Sequence, residues 1–299
     1  ILLAQNQARR MTDFFANFLN PEKRLFIGYL ISAAFIAIIW LRMVQKKPLI
    51  NIVSGFFDSK IWFSRSAIAD YKLMLINQFF VKLLAPILIG QLALTIFIFE
   101  NMHLFFSRPS ESFPVWMVML IFTTVLLIVD DFSRYLLHRL MHRVPLLWRF
   151  HKAHHSATNL TPLTVLRTHP IEAILFSLRA VLVHSLCLGV CFFFFSNNVS
   201  LIEIFGSSVF VFLFHAFGSN LRHSHINLGY WNWLEKVFIS PAQHQLHHST
   251  NPKHYDCNFG AIFSLWDNIG KSCIFSEKNQ QIEFGLKEQS DKSHTLKNL

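Results

Sequence analysis

The sequence predicts an all-α integral membrane fold with four to five transmembrane helices. Three observations lead there. The 299 residues are 53% hydrophobic and only 15% charged, with a mean hydropathy of +0.38, more apolar surface than a soluble domain carries. Apolar runs of roughly the 20 residues needed to cross a bilayer recur along the chain. Many of the 16 histidines are packed into short groups just beyond those runs.

The elements follow in order. Residues 1–24 form a polar, mixed-charge lead-in that begins without an initiator Met, so the chain reads as a fragment or a processed form. No cleavage-site pattern follows a short apolar core, which disfavours a signal peptide. Leu25 to Val44 is the first spanning run, with Trp40 and Arg42 at its interface. Lys46 to Lys72 mixes basic residues with Phe56, Phe57, Ile61, Trp62 and Phe63, the composition of a helix lying on the membrane surface. Leu73 to Phe99 is the second run, kinked at Pro86. Phe113 to Val129 is the third, and it should continue unbroken into a histidine-bearing helix. Ala173 to Phe195 and Leu201 to Phe217 are two further runs separated only by Ser196 to Ser200, which predicts a tight helical hairpin. Tyr230 to Ile239 reads as a second interfacial helix, and residues 276–299 as a polar tail.

Within this frame the transmembrane region covers 25–217 and a histidine-rich region, overlapping it, covers 130–275. His138 and His142 are spaced i, i+4; His151, His154 and His155 are spaced i, i+3, i+4; His244, His247 and His248 repeat that pattern. On a helix such spacings point imidazoles into one space. The hairpin would return the chain to the side it left, bringing all three clusters to one membrane face. Basic residues after the third and fifth runs and near Lys46 make that face cytoplasmic. Five spans leave Arg9, Arg10, Lys23 and Arg24 on the opposite side, so the first run is alternatively an interfacial element. The absence of a C-terminal lysine-based retrieval signal favours a bacterial inner membrane over the ER.

Neutral imidazole is a good ligand for iron, zinc or copper, and eight such ligands exceed what one ion takes from protein, so two metals are expected. Asp131 and Tyr135 each precede a histidine by seven residues and are candidates to orient a ligand ring from behind. His184 within the fourth run pairs most readily with Arg179, and His103, His254 and His294 read as peripheral. The net charge of +10 lies in segments flanking apolar runs, which suits anionic lipid headgroups and not nucleic acid. The four cysteines form no CxxC pair, which argues against a zinc ribbon. A membrane metal transporter or a zinc-dependent hydrolase could use the same clusters. The first would need ligands near the bilayer midplane, and the second a carboxylate base beside the ligands, as in HExxH, where Lys152, Ala153, Gln245 and Leu246 stand instead.

HRLMH, HKAHH and HQLHH, in that order with apolar runs between, resemble the three histidine boxes of the fatty acid hydroxylase and sterol desaturase superfamily. His225-Ile226-Asn227 is similar to a His-x-Asn element of that family, which implies His225 as a ninth ligand with Asn227 beside it. Arg167 to Glu172 resembles the Arg-x-His-Pro-x-Glu element of the sterol desaturase branch, which implies His169 at the border of the site. The resemblance implies a membrane-bound non-haem di-iron enzyme, with two Fe ions and zinc as a substitute in purified protein. It would hydroxylate or desaturate a C–H bond of a lipid with O2, the metal ligands being its catalytic groups. Without a GxGxxG fingerprint or a haem module in the chain, electrons would come from a separate ferredoxin or cytochrome b5 type donor.

Overall fold

The computed structural model describes residues 16–83, 85–108, 113–195, 199–204, 207–277 and 280–286. The lead-in up to residue 15 and the tail beyond residue 286, with His294, lie outside the described residues.

The first apolar run forms α1, Ile27–Met43. It buries one stripe, Tyr29, Ala33, Ala37 and Leu41, each four residues after the last. The two alanines let other elements approach its backbone, and Ile52, Leu221, Ile226 and Leu228 fill that face. A short helix α2, Leu49–Phe56, follows and is strongly two-sided. Ile52 is 2% exposed, whereas Ile50 is 74% exposed and Leu49 and Val53 are open too. An apolar face left uncovered beside a polar one is the signature of a helix resting on a membrane surface.

The second run carries two described helical stretches, α3, Arg65–Leu83, and α4, Ala85–Phe105, with Pro86 within the latter. The kink expected at Pro86 adjoins Leu84, which lies outside the described residues. α5, Val115–Arg143, carries the third run and HRLMH in one helix of 29 residues. At 1.5 Å per residue it is roughly 43 Å long, longer than a hydrocarbon core of about 30 Å, so a crossing by its apolar part would leave its last turns beyond the apolar layer. Val144 is extended and Pro145 opens α6, Pro145–His155. This abrupt turn folds α6 back so that its histidines meet those of α5.

α7, Pro170–Phe195, packs along α4 and α5. Arg179 of α7 reaches Asp130 Oδ1 of α5 at 2.8 Å and Ser133 Oγ at 2.6 Å, and His184 Nε2 lies 3.3 Å from the same carboxylate oxygen. His184 therefore shares Asp130 with Arg179 instead of pairing with it. Among the described residues, α5 and α7 are the two helices identified as long and apolar enough to cross a membrane.

The expected helical hairpin is not formed as such. Glu203–Ile204 (β1) and Ser207–Ser208 (β2) pair antiparallel, and of the described residues in this run Val209–Ala216 alone are helical (α8). Glu203 and the serines interrupt the apolar sequence, and eight helical residues cover about 12 Å, too short to span. The segment returns against α5, where Thr123 Oγ1 accepts from Ile202 N at 3.0 Å. The second interfacial helix is likewise reduced to one turn, Asn232–Glu235. Buried Glu235 accepts from Tyr230 N, Ser240 Oγ and Ser276, which ties the turn inward. Trp231 and Trp233 remain exposed at 73% and 66% and stack on each other. α9, Pro241–His247, then carries the last box, and α10, Leu265–Ile269, closes the described fold.

Candidate metal centre

The histidines assemble into two adjoining groups. His138, His142, His151, His155 and His247 form one; His154, His223, His244 and His248 form the other, and within each group the ligand atoms all lie within 4.8 Å of one another. His154 and His155, adjacent on α6 and about 100° apart in projection, fall into different groups. On α9, His247 joins the first group while His244 and His248 join the second. The groups share a wall in which the rings of His155 and His248 stack at 4.5 Å.

Local sequence explains the placement of each box. The i, i+4 spacing puts His138 and His142 on one face of α5, with ring centroids 5.2 Å apart. α6 starts at Pro145 without a side-chain cap and delivers His151, His154 and His155 in its last turns. The start of α9 is fixed by a reciprocal capping box, Ser240 Oγ accepting from Gln243 N and Gln243 Oε1 accepting from Ser240 N. Gln245, between the last histidines, donates from Nε2 to the carbonyls of Leu221, Ser224 and Ile226 and so anchors the loop that holds His223.

Four rings have their Nδ1 atoms committed outward. His138 donates to Phe259 O at 2.8 Å, His151 to Glu172 Oε1 at 2.9 Å, His154 to Arg167 O at 3.3 Å and His247 to Cys257 O at 2.7 Å. A proton held on Nδ1 leaves Nε2 as a lone pair, and these Nε2 atoms turn inward. His138 and His151 bring theirs to 3.1 Å, and His155 and His151 to 3.2 Å. In the other group His154 and His223 meet at 3.3 Å, and His223 and His244 at 3.1 Å. Nitrogens coordinated at about 2.0–2.1 Å are spaced roughly 3.0 Å along an octahedral edge and 3.4 Å along a tetrahedral one. The observed spacings fall in that interval. His142 Nε2, His247 Nε2 and both ring nitrogens of His248 are buried without any hydrogen-bond partner among the described residues. Orphaned, mutually facing imidazole nitrogens suit transition-metal ions, and the donor set fits them.

Burial holds the imidazoles of His154, His155, His223, His244, His247 and His248 well below the usual histidine range, and neighbouring rings depress them further. They are neutral at physiological pH, the state a metal needs. Trp148 and Phe259 pack on His142, each with centroids 5.1 Å away, and close that side of the first group.

The other residues singled out from the sequence occupy different places. His225 is in neither group; it is exposed, with Phe56 against its ring, and His223 occupies the second group instead. The chain turns through a 3-10 segment at Ser219–Arg222, after which His223 faces inward and His225 outward. Asn227 donates to Gln280 O and does not reach the histidines. His169 packs on Phe150 and accepts from Ile171 N. Its motif neighbours are the ones engaged, Glu172 through His151 and Arg167 through His154. Asp131 accepts from Ile262 N, Phe263 N and Trp266 Nε1, fixing the loop whose Phe259 carbonyl receives His138. Tyr135 accepts from Arg139 and meets the Phe259 ring edge-on rather than bonding a histidine.

Glu172, Arg167 and His223 were not assigned as site residues from sequence. The signal for Glu172 was available: an acidic residue in the first turn of a helix that starts beside the clusters. His223 stood in the same SNLRHSHIN segment as His225, and no spacing rule separates two histidines two residues apart in irregular backbone.

A family model described as fatty acid hydroxylase matches residues 123–272, half of the chain. The chain belongs to the fatty acid hydroxylase family. Among curated relatives, alkylglycerol monooxygenase of Homo sapiens is 27% identical over 195 residues, covering 64% of this chain and 37% of the relative. The Delta(7)-sterol 5(6)-desaturase ERG3B of Gibberella zeae is 26% identical over 153 residues, covering 51% and 42%. The ornithine lipid hydroxylase OlsE of Rhizobium tropici is 28% identical over 147 residues, covering 48% and 39%. The matched stretch thus spans well under two thirds of each of these relatives. No solved structure matches the chain. The family model covers all three boxes together with His223, Glu172 and Arg167.

Proposed function

We propose that this protein is a membrane-bound, O2-dependent lipid oxygenase whose histidines hold two iron ions and which hydroxylates or desaturates a C–H bond of a lipid. The observation that carries the reading is the pair of buried, all-imidazole groups with Nε2 atoms facing one another at 3.1–3.3 Å. Family membership adds support, because the curated relatives are named for monooxygenation, desaturation or hydroxylation of lipids.

His138, His142, His151, His155 and His247 would hold one ion, and His154, His223, His244 and His248 the other. When bound, iron supplies activation of O2 and removal of hydrogen from an unactivated C–H bond. The chain's own residues do the rest. Glu172 and the carbonyls of Phe259, Arg167 and Cys257 hold protons on Nδ1 and keep the lone pairs aimed inward. Trp148 and Phe259 exclude water from the first group.

Four spans, a cytoplasmic metal site and a bacterial inner membrane complete the reading, with a ferredoxin or cytochrome b5 type donor delivering electrons. Basic residues flanking the apolar runs support the orientation.

The test is metal analysis of detergent-purified protein, paired with O2 uptake after ferrous loading and chemical reduction in the presence of a lipid extract. About two irons per chain and lipid-dependent uptake are expected. One tightly held zinc, with no O2 chemistry at any iron loading, would overturn the proposal in favour of a hydrolase.

A further inference from the structure

Two hollows meet at the segment that follows ligand His223. The larger is a groove of about 890 Å3 bounded by α2, the loop after α9 and the returning segment 280–284. Its walls are largely polar, and it has one formal charge of each sign at its rim, Lys47 and Glu283. The smaller is a cavity of about 360 Å3 between α1, the Phe56–Trp62 stretch and Leu160–Leu163, with walls that are almost wholly hydrocarbon. Ser224, His225 and Ile226 line both. Each volume lies within the range of small-molecule sites.

The segment shared by the two hollows is held by specific bonds. Gln245 Nε2 bonds the carbonyls of Ser224 and Ile226, Trp40 Nε1 donates to Asn227 O at 3.0 Å, and Asn227 Nδ2 donates to Gln280 O at 3.0 Å. One short segment thus carries a ligand imidazole on its inner side and presents a polar and an apolar compartment on its outer side. α2 separates the groove from the surface at which Leu49, Ile50 and Val53 are exposed, so both compartments lie against the predicted membrane interface.

We propose that the groove and the cavity are two halves of one lipid site, the groove taking a polar, net-neutral headgroup and the cavity the hydrocarbon next to it. The substrate class is then a chain lipid with a zwitterionic or polyol headgroup, and not a sterol. A sterol offers a single hydroxyl and would leave the polar walls of the groove without partners, a mismatch that disfavours binding. A headgroup of net charge would meet either Lys47 or Glu283 as a like charge. This assignment rests on the lipid-oxygenase reading given above for its word "substrate"; the binding site itself is testable without it.

Gly55 supplies the test. It lines the groove, and a Cβ placed on it meets nothing within 4 Å, so a large side chain is accommodated there and grows into the groove. Binding of a zwitterionic single-chain probe, lysophosphatidylcholine, is measured on the detergent-purified full chain, with cholesterol as competitor. Metal content and melting are recorded on the same samples. Saturable binding by the wild type is expected, weakened at least about tenfold by Gly55→Phe and not displaced by cholesterol. Lys47→Glu, at an exposed position that leaves packing intact, should weaken lysophosphatidylcholine by about the same factor and improve a lipid bearing only a cationic headgroup. Unaltered probe affinity in a folded, metal-replete Gly55→Phe protein, unaltered headgroup preference in Lys47→Glu, or displacement by cholesterol would each overturn the proposal. Loss of lipid-dependent O2 uptake with probe binding retained would count against the oxygenase reading alone.

Discussion

At the scale of single residues, His223 and His225 give the sharpest contrast. Two residues apart, one has its Nε2 3.1 Å from that of His244, while the other is exposed beside Phe56. His223→Ala should lower metal content by about one equivalent per chain, whereas His225→Ala should leave it unchanged. Metal analysis with a melting curve for each variant checks both; equal metal loss in the two would return His225 to the ligand set. Arg24 Nη2 lies 3.3 Å from Nδ1 of His223, at the place where His138, His151, His154 and His247 have an oxygen to donate to. The three boxes were legible in the sequence because a helix converts i, i+3 and i+4 directly into a shared face. His223 was not, because its direction depends on a 3-10 turn and on Gln245, contacts separated in sequence by about twenty residues and encoded by no period.

At the scale of elements, α6 is held in register by a buried clamp. Arg167, fully buried, donates to Ala153 O and Ser156 Oγ at the end of α6, and to Ser66 O and Asp70 Oδ1 on α3, the latter at 2.9 Å. Asp70 also accepts from Thr164 Oγ1 at 2.6 Å. Removing one partner leaves a buried charge uncompensated, so Arg167→Leu or Asp70→Ala should destabilise the fold by about 3–5 kcal/mol. The Asp70→Ala/Arg167→Leu double variant should cost distinctly less than the sum of the two single changes. Denaturant titration in mild detergent reads all three, and additive losses would refute the clamp. α1, α5 and α7 could be read from their apolar runs, and α5 continues into HRLMH in one helix as its sequence suggested. The Leu201–Phe217 run misled because hydropathy ignores where the backbone finds its partners. Those residues bond across a strand pair and to Thr123 rather than within one helix.

At the scale of the whole molecule, the protein concentrates neutral imidazoles inside its own interior, and acid must act on them together. Their folded pKa values lie below the unfolded value near 6.5, so the unfolded chain binds protons first as pH falls. Metal-free protein should therefore hold its stability above about pH 6.5 and lose it progressively below, with a slope of more than one proton. Melting of the apo protein between pH 7.5 and 5 measures this, and a flat profile would show that the rings are solvated. The order in which the donors leave the ribosome carries a different consequence. His138 and His142 are made first, His151 to His155 soon after, but His223 and His244 to His248 follow only when α7 has been completed. Until then the first group lacks only His247, whereas the second has only His154. The two groups would therefore be completed unequally during synthesis: a chain stopped before α9 keeps four donors of one and only His154 and His223 of the other.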